Sequence, residues 1–113
     1  MRRPVKRLLF LTIVLALAAC NTKTTTIKTL LSDPGKYDGK TVRIAGEVQN
    51  TIGALGFGAY EVKDNTGTLP VVSEGRGVPA RGAQVGVEGT FRAAFTLGTQ
   101  SRAVIVEKNR VSR

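Results

Sequence analysis

The stretch TVRIAGEVQ, residues 41–49, puts Val42, Ile44, Gly46 and Val48 on one side and Thr41, Arg43, Ala45, Glu47 and Gln49 on the other. A period of two with one apolar side marks a half-buried β-strand, because successive side chains of a strand point to opposite faces. After it, residues 51–58 (TIGALGFG) read as a glycine-rich loop, and residues 59–63 (AYEVK) as a second strand. The turn Asp64-Asn65-Thr66-Gly67 ends on a glycine, as a bulged hairpin turn requires. A third strand covers residues 68–73; Pro70 lacks the ladder donor, so this strand is expected to be broken or short. Residues 74–82 (EGRGVPARG) form a loop by composition. Alternation resumes over 84–92 with Val85, Val87, Gly89 and Phe91 on one face, residues 93–101 read as a second loop around Gly98, and AVIVE at 103–107 closes as a fifth strand.

Working back from the first strand, Ile27, Leu30 and Leu31 stand at i, i+3 and i+4 and predict a short helix, stopped by Ser32-Asp33-Pro34-Gly35. NTKTTT, residues 21–26, is polar and without apolar periodicity, the pattern of an unstructured tether. Before it, MRRPVKRLLFLTIVLALAAC places Arg2, Arg3, Lys6 and Arg7 ahead of a 12-residue run, 8–19, interrupted only by Thr12. That is a secretory signal layout, and the run falls short of the roughly 20 residues a helix needs to cross a bilayer. Its end, Leu17-Ala18-Ala19-Cys20, resembles the bacterial lipobox, which implies diacylglycerol and palmitate on Cys20 after cleavage. Two or more acyl chains anchor stably where one does not. Asn21 leans toward the outer membrane by the same resemblance. The expected organisation is therefore a signal peptide over 1–19, a lipidated tether over 20–26, a folded domain over 27–108 and a tail over 109–113.

Composition narrows the chemistry. The 113-residue chain has no His, no Trp and one Cys, which leaves no Ser-His or Cys-His relay, no imidazole metal site, no thiolate cage and no internal disulfide. Of 17 basic residues four precede the cleavage point, leaving 13 against 8 acidic ones, a net charge of +5. The glycine-rich GALGFG at 53–58 lacks the Lys-Ser/Thr ending and following helix of a phosphate loop. No cofactor or metal is expected.

YDGKTVRIAGEV (37–48), YEVKDNTGTLPVV (60–72) and GVPARGAQVGVEGTF (77–91), in that order between a short helix and a last apolar strand, resemble the bacterial OB-fold proteins of the tRNA-anticodon-like and periplasmic BOF-like kind. The resemblance covers about residues 27–108 and implies an all-β, five-stranded Greek-key barrel with a short N-terminal helix. It departs from the tRNA-binding members at 74–82, too rich in Gly and Pro for the helix they carry there. The envelope haem chaperone of this fold attaches haem through a His, which this chain lacks. The expected core is Ile27, Leu30, Val42, Ile44, Val48, Val62, Leu69, Val71, Val85, Val87, Phe91, Val104 and Val106. Gly46 and Gly89 are expected where coiled strands bend.

Ligands of such barrels lie across strands two and three, between the loops joining strands one to two and four to five. Those loops, read at 51–58 and 93–101, carry Phe57 and Phe95, with Arg43, Lys63 and Arg102 nearby. Aromatics beside cations suit single-stranded nucleic acid, yet five aromatics after the signal peptide make a thin stacking platform. The expected function is an envelope-facing, lipid-anchored, non-enzymatic module for a protein or anionic glycan partner, using Arg43, Phe57, Lys63, Phe95 and Arg102. Single-stranded nucleic-acid binding is the alternative, and a small hydrolase using Glu47, Glu61, Asp64 or Glu88 is a remote third.

Overall fold

The structure, a computed structural model, describes residues 23–54, 57–97 and 99–113. Cys20 and residues 1–19, read from the sequence as a signal peptide, lie outside them. Five strands, β1 (Thr41–Ala54), β2 (Phe57–Lys63), β3 (Thr68–Glu74), β4 (Gln84–Leu97) and β5 (Gln100–Ser112), close into a barrel in the order β1-β2-β3-β5-β4. Every pairing is antiparallel except β3 with β5, which meet in parallel at Val71↔Ile105 and Val72↔Val106. This is the expected five-stranded Greek-key barrel.

One strand serving two halves of a barrel has to bend, and the sequence supplies the bend. β1 pairs with β4 through residues 41–47 and with β2 from Glu47 onward. At the changeover, a Cβ on Gly46 would strike the backbone carbonyl of Lys63, and a Cβ on Gly89 of β4 would strike that of Val106. Only glycine lets the neighbouring strands approach so closely.

Of the segments 51–58 and 93–101, both expected as loops, residues 51–54, 57–58, 93–97 and 100–101 are instead strand. β1 and β2 run out to Ala54↔Phe57, and β4 and β5 to Leu97↔Gln100, as two long hairpin arms. Cross-strand pairing holds these residues extended although their glycines break the alternation. β3 is unbroken as well. The Asp64 N–H bonds the Gly67 carbonyl, and alternation from that pair makes Glu61↔Pro70 a non-hydrogen-bonded pair of the β2–β3 ladder. Pro70 therefore turns its missing donor toward β5, which joins β3 only from Val71. β5 also continues through 109–112, read from the sequence as tail, and the Arg113 N–H bonds Gln84 O at 2.9 Å.

Two short helices close one end. In α1 (Ile27–Ser32), Thr26 caps the first turn by accepting the Thr29 N–H, and Ile27 and Leu30 are fully buried. α1 ends at Ser32, ahead of Pro34 and Gly35 as expected, and those two residues then open a second helix, α2 (Pro34–Tyr37), where Pro in the first turn has no donor to lose. The end of the polar segment is also fixed: the Thr25 N–H bonds Arg43 O at 2.7 Å.

Eleven of the expected core residues, from Ile27 to Phe91, are buried in one cluster. β5 departs in phase. Ile105 fills the barrel, while Val104 is buried apart from that cluster and Val106 is only half-buried. A one-residue slip exchanges the two faces of a strand.

Candidate functional site

A groove of about 610 Å³ opens on the outer face of β2 and β3. Ala59 and Glu61 of β2 and Pro70 of β3 line it, and Asn50 and Thr51 of β1, Arg102 of β5 and Arg81 of the β3–β4 loop edge it. Local backbone geometry puts them there. Gln49 and Asn50 form a bulge opposite Glu61, between the pairs Val48↔Val62 and Thr51↔Tyr60, and a bulge re-aims side chains. It brings Asn50 Nδ2 within 2.6 Å of Glu61 Oε1 as a donor. Arg81 is held at the rim because its loop is bonded to β1, Gly82 N–H to Val48 O at 2.8 Å and Val48 N–H to Ala83 O at 2.9 Å. Arg102 stands 3.9 Å from Glu61, both partly exposed, an ion pair too long and wet to contribute much stability. The groove thus carries two guanidinium groups, one carboxylate and a small apolar floor.

The five candidate binding residues do not converge on it. Arg102 lines the groove, and Phe95, half-buried on β4, is its cross-strand partner. Phe57 opens β2 opposite Ala54 and is described by its backbone alone. Arg43 lies on the β1–β4 face, 3.3 Å from Glu88 Oε2. Lys63 borders a separate polar depression with Glu47, Asp64 and Gln84. Arg81 and Asn50, which the sequence did not single out, line the groove, and Arg43 and Lys63 do not. Arg81 lay in a segment read only as a loop, and a bulge leaves no mark in hydropathy.

Comparison with known proteins bears on the fold. No protein-family model and no curated sequence matches the chain. Among solved structures it is similar to an aspartyl-tRNA synthetase from Entamoeba histolytica (TM-score 0.65, 16% identity, 80% of this chain, 21% of that one). It is likewise similar to the asparaginyl-tRNA synthetase from Pyrococcus horikoshii (0.55, 23%, 68% and 20%). A third likeness is to an OBody bound to hen egg-white lysozyme (0.62, 18%, 80% and 94%).

The fold is an OB fold.

The chain spans about a fifth of each of those synthetases, so the likeness concerns one OB barrel and not their whole activity. In the present OB barrel, the four carboxylates considered for hydrolysis are each engaged by a neighbour. Glu47 accepts from Gln49, Glu61 from Asn50 and Glu88 from Arg43. Asp64 accepts from the N–H groups of Ile27, Thr66 and Gly67 and from the Thr66 hydroxyl. Burial pushes its pKa up, but these donors outweigh it and hold the carboxyl below its ordinary value. Thr66 Oγ1 in turn accepts the Lys28 N–H at 3.0 Å, so the β2–β3 turn docks on the first turn of α1. No cluster of three potential metal ligands occurs among the described residues. Nor is any helix among them long and apolar enough to cross a membrane.

Sequence reasoning also missed a buried polar network. The Tyr60 hydroxyl donates to the Glu107 carboxylate, and Arg110 Nη1 donates to Glu107 Oε1 at 3.0 Å and to Gly77 O at 3.4 Å. Ser73 Oγ donates to Gly77 O at 2.9 Å and lies 3.5 Å from Glu107 Oε2. The guanidinium also sits 5.5 Å from the centre of the Tyr60 ring, within cation–π range. Burial first, then the bond to Glu107, pushes the Tyr60 hydroxyl far above its ordinary pKa, so it remains a donor at every working pH. The network ties β2, β3 and β5 to the start of the loop that carries Arg81.

Proposed function

We propose that the chain is a lipid-anchored module of the bacterial cell envelope, without catalytic activity, whose groove binds an acidic segment of a protein or an anionic glycan. The groove carries the binding part of this reading: Arg81 and Arg102 line it together with Ala59 and Pro70, and Glu61 is the one opposing charge among its described lining residues. Small apolar surface beside two cations suits an extended acidic strand or a carboxylated sugar chain. An OBody bound to lysozyme supports a protein partner, since it has this barrel architecture. LAAC at residues 17–20, behind a basic and then apolar leader, supports acylation of Cys20, and Asn21 after it supports residence at the periplasmic face of the outer membrane in a two-membrane cell.

Single-stranded nucleic acid is the second reading, favoured by the likeness to two tRNA synthetases. The groove argues against it. Its one described aromatic, Tyr60, is 1% exposed, so among the described side chains of the groove none offers a ring for base stacking.

The test is binding of poly-glutamate, an acidic polysaccharide and an oligothymidylate to the acylated protein in detergent, with Arg81→Ala/Arg102→Ala beside it. Saturable binding of an acidic polymer that falls about tenfold or more in the double variant supports the groove. Tight oligothymidylate binding without acidic-polymer binding favours the second reading. Mass spectrometry of the mature protein tests the anchor, which fails if Cys20 carries no acyl chain.

A further inference from the structure

A second basic surface lies away from the groove, at the point where the chain enters the barrel. Lys23, Tyr37, Lys40, Arg43 and Glu88 line a hollow of about 500 Å³ at the start of β1. Lys23 and Lys40 are exposed, and Lys108 reaches the same place, its Nζ donating to Thr41 Oγ1 at 3.2 Å. Glu88, the one acidic residue lining the hollow among those described, is engaged by Arg43 at 3.3 Å. The lysines are thus left as a cationic patch. Its position is fixed by the Thr25 N–H bond to Arg43 O at 2.7 Å, which pins the incoming chain to β1 beside the hollow.

We propose that this face is the membrane-facing side of the barrel, and that Lys23, Lys40 and Lys108 hold it against anionic phospholipid headgroups of the bilayer that carries the anchor. The inference rests on acylation of Cys20. From Cys20 to the pinned Thr25 is five residues, which even fully extended reach only about 17 Å. With the acyl chains in the hydrocarbon and a headgroup layer of roughly 5–8 Å above it, the patch stays within about a Debye length or two of the lipid phosphates. The tether is too short for the barrel to turn this face outward. Each lysine near an anionic surface raises partitioning roughly fivefold, so three together weigh on the order of a hundredfold. The groove on the β2–β3 face then has its Arg81 and Arg102 left for a partner.

The chain's one cysteine, Cys20, is consumed by acylation, so an introduced cysteine takes a fluorophore uniquely. Probes are placed by Lys36→Cys, on α2 next to the patch, and Glu74→Cys, opposite Phe57 by the β1–β2 arm. Acylated protein is reconstituted in vesicles of phosphatidylcholine alone or with about a third phosphatidylglycerol, which supplies the surface potential, and a headgroup-attached quencher reports proximity. The expected result is stronger quenching at position 36 than at 74 in anionic vesicles, lost at high salt and in Lys23→Glu/Lys40→Glu/Lys108→Glu. Equal quenching at both positions, or quenching indifferent to anionic lipid and to the triple variant, overturns the proposal. Circular dichroism checks that the triple variant is folded; should it not be, the salt and lipid dependence of the wild-type probes decides alone. Failure of the anchor reading is separate: the protein then carries no acyl mass and does not float with phosphatidylcholine vesicles.

Discussion

Glu107 is the residue whose placement most affects the interior, because its side chain is fully buried and charged. A buried carboxylate is tolerable only when it is paired and hydrogen-bonded, and here Tyr60 and Arg110 both donate to Oε1 while the Ser73 hydroxyl lies 3.5 Å from Oε2. Glu107→Ala leaves the Tyr60 hydroxyl without its acceptor and Arg110 without its counter-charge, a loss of about 3 kcal/mol. Tyr60→Phe removes one donor and leaves the Arg110 pair in place, so it costs about 1–2 kcal/mol. Urea unfolding of the two variants checks the order; equal losses would mean that the arginine pair contributes nothing. This network was illegible in the sequence for a specific reason. AVIV at 103–106 is apolar at every position, so alternation has no contrast from which to read a phase. Hydropathy then rejects the phase that buries Glu107. A bulge at Lys108, between Glu88↔Asn109 and Gly89↔Glu107, further shifts parity so that Arg110 comes round to the side of Glu107. Tyr60, by contrast, shares parity with the buried Val62, and that signal was present in the sequence.

Among the elements, α1 has only six residues and cannot persist unaided. Its support comes from two sources, the buried side chains of Ile27 and Leu30 and the β2–β3 turn bonded to its first turn. Asp64 puts a carboxylate where the helix has unpaired N–H groups, a favourable place for negative charge. Its pKa lies below the ordinary 3.8 because the donors of Thr66, Ile27 and Gly67 outweigh desolvation. A carboxyl with a depressed folded-state pKa contributes stability that is complete above its unfolded value and disappears as pH falls through the folded one. Asp64→Asn is therefore expected to be less stable than wild type by about 1 kcal/mol near neutral pH, the gap narrowing below about pH 4. Urea titrations at several pH values measure it, and a gap independent of pH would show that the charge is irrelevant. DNTG at 64–67 announced a turn in the sequence. Its second task, capping a helix 37 residues away, could not be read there, because local chemistry determines turns and only the closed barrel brings the two segments together.

For the whole molecule, five strands were legible as alternating or apolar segments with glycines between them, and their Greek-key order only through the resemblance to OB-fold proteins, whereas the placement of charge around the barrel was not legible. Arg43, Lys63 and Arg102 share an outward orientation in the sequence, yet closure distributes them over three sides. The groove draws its second guanidinium from the loop residue Arg81. A prediction follows from its balance of two cations and one anion. Glu61 lies between Asn50 at 2.6 Å and Arg102 at 3.9 Å, and its charge opposes any acidic partner entering the groove. Glu61→Gln keeps the shape and an acceptor for Asn50 while removing that opposition, so affinity for an acidic polymer is expected to rise severalfold at low salt. The gain is electrostatic between partly exposed groups and should vanish as ionic strength increases. Titration of poly-glutamate into wild type and variant across a salt series reads both effects together. A fall in affinity at low salt would mean that Glu61 acts by positioning Arg102 for the acidic partner and not by opposing it.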